Sequence, residues 1–208
     1  GGVLMDLWNI LSFMALGFTL GSIPFAYILA RVFTGRDVRA IGDGNPGAAN
    51  AWKAGGWRIG LLAVFFDLCK GFLPLYLAQR AGLSEWALVP VALSPILGHA
   101  LQPFLQFRGG KALAVSGGVW LAWIGPRVFP LYASLTLPVL ALQEEHAWAA
   151  FSGTLALLAY ALWLGTSPAL MVFAALNMAL IGWTHRRELA HAPRPRAWVG
   201  HLLSRREA

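Results

Sequence analysis

Residues 147–184 run for 38 positions without an Asp, Glu, Lys or Arg. As one helix this run would be about 57 Å long at about 1.5 Å per residue, far more than the roughly 30 Å hydrocarbon core of a bilayer. The "GTSP" at 165–168 supplies a turn, so the run divides into spans at 147–164 and 168–184. Further apolar runs lie at 7–30, 59–79, 86–101, 112–126 and 128–143. Only Asp67 and Lys70 interrupt the second of these, and Arg127 separates the last two. The chain is 58% hydrophobic and 12% charged, against about 45–50% and about 25% in soluble domains, and its mean hydropathy is +0.61. The expected fold is an all-α integral membrane protein of about seven transmembrane helices, or five if the two short Pro-containing runs do not cross. Residues 1–190 read as a single polytopic domain and 191–208 as a basic cytoplasmic tail. The first run reads as a span and not a cleaved signal, because no basic segment precedes it and it exceeds the usual signal core.

Basic residues set the orientation. With the N-terminus outside and alternating spans, Arg31, Arg36, Arg39, Lys53, Arg58, Arg108, Lys111 and six tail arginines fall on the cytoplasmic face. Only Arg80 and Arg127 fall outside. The single Cys69 excludes an internal disulfide, and the scattered histidines lack ligand spacing, so neither a metal nor another cofactor is expected. Nothing points to nucleic acid or to an obligate protein partner; the partners implied so far are the bilayer and small molecules.

Three polar segments, 31–58, 98–114 and 184–189, share the cytoplasmic face in this scheme, which points to one site at the membrane surface. In "GDGNPGAAN" (42–50), Gly42, Gly44 and Gly47 permit close backbone approach to an anion. Asn45 and Asn50 add amide donors, and Arg39 and Lys53 add charge. The same loop also reads as an ordinary turn cluster with basic flanks. The Arg108-Gly109-Gly110-Lys111 stretch repeats the pattern, either for a substrate phosphate or for anionic lipid. Asp67 and Lys70, three residues apart within a span, share a helix face and must face the interior or a wet cavity, as a structural pair or in support of a site. His99 and His185 stand at span ends, as helix caps or as acid–base groups.

The ordered set "GSIPFAYILAR" (21–31), "GDGNPGAAN" (42–50), "DLCKG" (67–71), "GH" (98–99) with "FRGGK" (107–111), and "HRRE" (185–188) resembles the bacterial acyl-phosphate:glycerol-3-phosphate acyltransferases of the PlsY type over residues 16–188. The resemblance implies seven spans, an outside N-terminus and a cytoplasmic active face in the bacterial inner membrane. It also implies acyl transfer from acyl phosphate to the 1-hydroxyl of glycerol 3-phosphate, giving lysophosphatidate and phosphate at the start of phospholipid synthesis. Carried onto this chain, it implies catalytic roles for Asp43, Lys111 and His185. Substrate contacts would fall to Arg39, Gly42, Gly44, Asn45, Gly47, Asn50, Lys53, His99, Arg108, Gly109, Gly110 and Glu188.

Several positions depart from the family pattern. Asp43 replaces a serine, Lys53 an arginine, Ala49 a threonine, Ala112 a glycine, and Glu188 an asparagine. The Tyr-x-Ser-Leu signature expected near the fifth and sixth spans is not evident in "QEEHAWAAFSG" (143–153). An ionised carboxylate cannot donate a hydrogen bond. Asp43 is therefore expected to be protonated, to pair with a cation such as Lys53 or Arg39, or to act as general base. Alternative readings are an acyltransferase for another polar acceptor, or a noncatalytic transporter or lipid-binding homologue.

Overall fold

The computed structural model of the chain describes residues 2–199. It forms two compact units, Gly1–Pro126 and Arg127–Ala208. All named elements among the described residues are helices, and the chain is a multi-pass membrane protein.

The first unit opens with α1 (Gly2–Ser22) and α2 (Phe25–Thr34). The span expected at 7–30 thus lies within one apolar segment, Leu4–Thr34, whose helix is interrupted before Phe25. Pro24 lacks an N–H and its ring opposes the carbonyl four residues back, so the ladder cannot continue through it. The Ile23 carbonyl freed at the break accepts from Phe25 N–H at 3.0 Å and from Lys70 Nζ at 2.9 Å. A one-turn 3-10 helix, Val38–Ala40, precedes the glycine loop. After that loop come α3 (Ala48–Gly55), α4 (Trp57–Arg80), α5 (Glu85–Leu101), a 3-10 turn at Pro103–Leu105 and α6 (Leu113–Ile124).

Glycine lets these helices approach to backbone contact. A Cβ at Gly98 of α5 would collide with the Phe18 carbonyl of α1. Across α4 and α6, a Cβ at Gly71 would strike the Val115 carbonyl, and one at Gly118 the Leu68 carbonyl. Small buried residues, Ala26, Ala30, Ala51, Ala54 and Ala63 with Val38 and Ile59, form the core where α2, α3 and α4 meet. This close packing seats α3, and with it the glycine loop, on the end of α4.

The second unit comprises α7 (Val128–Leu142), α8 (His146–Trp163), α9 (Pro168–Thr184) and the short α10 (Arg186–Leu189). The "GTSP" stretch turns the chain between α8 and α9: Gly165 is left-handed at φ 56°, and Ser167 caps α9 by accepting from Leu170 N–H at 3.3 Å. Part of the expected basic tail lies along the end of α7. Arg196 donates from its backbone to Leu142 O at 3.0 Å and from Nε to Leu140 O at 2.9 Å. Residues 200–208 of that tail lie outside the described residues.

Among the described residues, four segments are long and apolar enough to cross a membrane: Leu4–Thr34, Trp57–Arg80, Glu85–Leu105 and Leu113–Leu142. Pro168–Thr184 is a shorter apolar helix.

Candidate active site

The glycine loop folds around Asp43. Gly42 and Gly44 flank it with φ of 60° and 73°, conformations that glycine adopts without penalty. The Asp43 carboxylate then turns inward. Oδ1 accepts from Asn45 N–H at 3.2 Å and from Asn50 Nδ2 at 2.8 Å, while Oδ2 meets Lys111 Nζ at 2.7 Å. Lys111 comes from the other polar segment, 68 residues on. Partial burial acts to raise the Asp43 carboxyl, but the hydrogen bond and charge of Lys111, with the two asparagine donors, outweigh it and hold the group at about 2. Asp43 is therefore ionised at neutral pH. Its cation is Lys111, where the sequence pointed to Lys53 or Arg39.

Arg39 is engaged elsewhere. Its guanidinium grips Asp37, with Nη2 2.7 Å from Oδ2, and lies 5.0 Å from the centre of the Tyr27 ring. The hydrogen bond from Arg39 holds the Asp37 carboxyl at about 2. Lys53 is exposed on α3 and its ammonium approaches the glycine loop: a Cβ at Gly42 would lie 2.8 Å from its Nζ and 2.5 Å from Asn50 Oδ1.

Beneath the loop is a cavity of about 220 Å³, lined by Asp43, Asn45, Gly47, Ala48, Ala49, Asn50, Val64, Asp67, His99 and Lys111–Ala114. Gly47 caps α3 without a side-chain bond. The first-turn amides of Ala48 and Ala49 have no intrahelical acceptor, and the helix end favours an anion.

The floor of the cavity is buried. Asp67 and Lys70 form an ion pair of 2.8 Å, each residue 3% exposed. His99 Nδ1 stands 3.7 Å from Asp67 Oδ1, beyond direct hydrogen-bond range. The same imidazole supports the second motif loop. A Cβ at Gly110 would collide with His99 Nε2, and Gly110 N–H donates to His99 O at 3.1 Å. The glycines of "RGGK" thus let the loop lie flat on the end of α5, which sets the position of Lys111. Asn50 Oδ1 and His99 Nδ1 are buried without a hydrogen-bond partner among the described residues, so the cavity wall keeps polar capacity. Arg108 is exposed and outside the lining.

The structure thus brings Asp43, Asn45, Gly47, Asn50, Asp67, His99 and Lys111 to one cavity. His185 and Glu188 lie in the second unit. His185 is 2% exposed and caps α9, with Nδ1 2.9 Å from Ile181 O and 3.1 Å from Thr184 Oγ1. A carbonyl only accepts, so Nδ1 carries the hydrogen in the contact with Ile181 O. Glu188 is in α10.

The Tyr-x-Ser-Leu spacing sought at 143–153 lies instead inside α7, as Tyr132-Ala133-Ser134-Leu135. Tyr132 donates to Ala150 O at 3.1 Å, and its ring covers Gly153 of α8. Ser134 is part of a second, mainly apolar cavity of about 360 Å³ with Leu131, Leu135, Ala156, Ala159, Tyr160 and Trp163.

The glycerol-3-phosphate acyltransferase family model matches residues 11–192. The chain belongs to this family. A glycerol-3-phosphate acyltransferase of Thermus thermophilus is 37% identical over 88% of this chain and 88% of its own length. One of Thermotoga maritima is 34% identical over 83% and 92%. Among solved structures, PlsY in its glycerol 3-phosphate form superposes with a TM-score of 0.80 at 30% identity, covering 87% of this chain and 90% of PlsY. Its lysophosphatidic acid form gives 0.78 at 28% over the same shares. The family assignment also gives the Ala112 departure a structural meaning. Ala112 has φ 61° and ψ 14°, a left-handed conformation that favours the glycine the resemblance implied there.

Proposed function

We propose that this family member transfers a fatty acyl group from acyl phosphate to the 1-hydroxyl of glycerol 3-phosphate. The hydroxyl oxygen attacks the acyl carbonyl carbon, the bond from that carbon to the phosphate oxygen breaks, and lysophosphatidate and inorganic phosphate leave. The hydroxyl proton passes to an oxygen of the departing phosphate, so the protein need not supply a strong base. Its contribution is to place two phosphates and neutralise their charge. Lys111, Asn50 and the α3 N-terminus would hold a phosphate in the 220 Å³ cavity, and Lys53 at the loop rim would meet the second. Asp67, Lys70 and His99 are positioning residues: Lys70 ties α4 to the Pro24 break, and His99 carries the Lys111 loop.

The observation that carries this reading is the convergence of Lys111 with the glycine loop, 68 residues away in the chain, at one cavity. Names of relatives and the ligands of the PlsY structures support the choice of acceptor. Purified protein given palmitoyl phosphate and glycerol 3-phosphate is expected to form lysophosphatidate and phosphate in equal amounts. Folded protein that forms none would overturn the proposal.

We further infer seven spans in the bacterial inner membrane, with the N-terminus outside and the cavity facing the cytoplasm. The basic residues of the first unit support this orientation. Cysteines at Ala49 or Arg108 should react with an impermeant reagent only from the cytoplasmic side, and labelling from outside intact cells would reverse it.

A further inference from the structure

The groups best suited to bind phosphate hold a carboxylate of the protein itself. Asp43 Oδ2 takes the Lys111 ammonium at 2.7 Å, and Oδ1 takes the Asn50 amide at 2.8 Å and the Asn45 N–H at 3.2 Å. A side-chain ammonium, an amide and a backbone N–H also make a conventional phosphate donor set. We propose that the Asp43 carboxylate is an internal anion occupying the Lys111–Asn50 phosphate subsite, and that a substrate phosphate binds there by displacing it.

The inference rests on reading the cavity as a phosphate site, and three features of this chain support it. Carboxylate and phosphate cannot share the subsite, because two anions on the same donors repel strongly at contact distance. Asp43 is also able to leave. Its side chain is 46% exposed, and it stands between two left-handed glycines. Asp67, by contrast, is buried and ion-paired on a helix. Finally, a second cation is at hand for the displaced carboxylate, since Lys53 Nζ stands 2.8 Å from where a Cβ on the neighbouring Gly42 would lie. The family's serine at this position would add a donor to the phosphate; an ionised aspartate adds a competitor. Asp43 would therefore weaken phosphate binding at rest and favour loss of the phosphate-bearing product from this subsite as the carboxylate returns.

The test compares the full-length wild type with Asp43→Asn and Asp43→Ser in detergent micelles. It measures inorganic phosphate binding by calorimetry and KM against kcat for both substrates. The Asp43→Asn side chain keeps the shape and an acceptor for Asn45 N–H, but carries no charge. Displacement predicts that the phosphate Kd and the KM for glycerol 3-phosphate fall about tenfold or more in both variants, as expected when one charge-assisted competitor is removed. The Lys111→Ala protein should bind phosphate weakly whatever stands at position 43. Phosphate affinity within twofold of wild type, or weaker, in the folded variants overturns the proposal. So does a fall in kcat with KM unchanged, which would make Asp43 a base. If the Asp43→Asn protein fails to fold, the Asp43→Ser protein, carrying the family's residue, decides alone. Absence of acyl transfer by every protein would sink the proposed reaction, yet the phosphate titration would still decide whether Asp43 competes.

Discussion

Replacing Lys70 by methionine isolates the buried ion pair under the site. Lys70 and Asp67 are each 3% exposed. The ammonium contacts Asp67 Oδ1 at 2.8 Å, donates to Ile23 O at 2.9 Å and lies 5.8 Å from the Phe25 ring centre. Methionine fills similar volume but leaves the Asp67 charge buried without its cation, a change that costs about 3–5 kcal/mol in comparable buried pairs. Ile23 O keeps its bond from Phe25 N–H, so the lost donor there adds only about 1 kcal/mol. The expected total is roughly 4–6 kcal/mol, or a fall of roughly 8–24 °C in Tm at about 2–4 °C per kcal/mol for a chain of this size. Asp67→Asn on the Lys70→Met background removes the stranded charge and should recover more than half. Thermal unfolding of purified single and double variants, followed by tryptophan fluorescence, provides the measurement. A loss below about 1 kcal/mol for Lys70→Met, or a double variant no more stable than the single, would refute the pair's role in holding α4 to the Pro24 break.

Lys111→Ala should lose about 3 kcal/mol of transition-state stabilisation, on the order of a hundredfold in kcat, while Tm stays near wild type because the residue is partly exposed; a loss under tenfold would remove it from the chemistry. Gly118→Ala should destabilise by about 1–3 kcal/mol through overpacking, since its Cβ would strike the Leu68 backbone. The adjacent Gly117→Ala meets only a movable Leu68 methyl at 3.3 Å and should unfold near wild type. Ala112→Gly should raise stability by about 1 kcal/mol by relieving the left-handed φ of 61°, and chemical denaturation would detect it. The Asp43 carboxyl is lowered from 3.8 to about 2, so the Asp43–Lys111 pair contributes fully above about pH 4 and is lost as pH falls towards 2. Activity between about pH 5 and 8 should therefore show no acidic limb that disappears in Asp43→Asn; such a limb would contradict the ion pair.

Local signals in the sequence translated directly into structure. "GTSP" contains a left-handed glycine, a serine cap and a proline at the first helical position, and all three act within a few residues. A count of uncharged residues does not reveal the break at Pro24, because it is blind to a missing N–H. Pairings between distant segments were harder to see. Arg39 and Lys53 are four and ten residues from Asp43 and looked like its natural partners. Asp37, two residues from Arg39, claims that guanidinium through a capping turn. Lys111 reaches Asp43 only because α4 packs on α6 and the "RGGK" loop lies on His99. Tyr132 and Ser134 give no polar signal in the sequence, because their spacing lies inside an apolar helix and not in the polar stretch at 143–153.

The ion pair also decides among the roles open to Asp43. Protonation is excluded by a carboxyl held at about 2 beside Lys111. In the ion-paired state general-base catalysis is disfavoured too, because a base works best with a pKa near the operating pH, and the paired carboxylate is held at about 2 with both oxygens accepting hydrogen bonds. Acyl phosphate has little need of such a base: its phosphate leaves readily and has oxygens that can take the hydroxyl proton. What two phosphates do require is positive charge held at a fixed distance, and under the proposed displacement Lys111 on its His99-backed loop would supply it once Asp43 gives way.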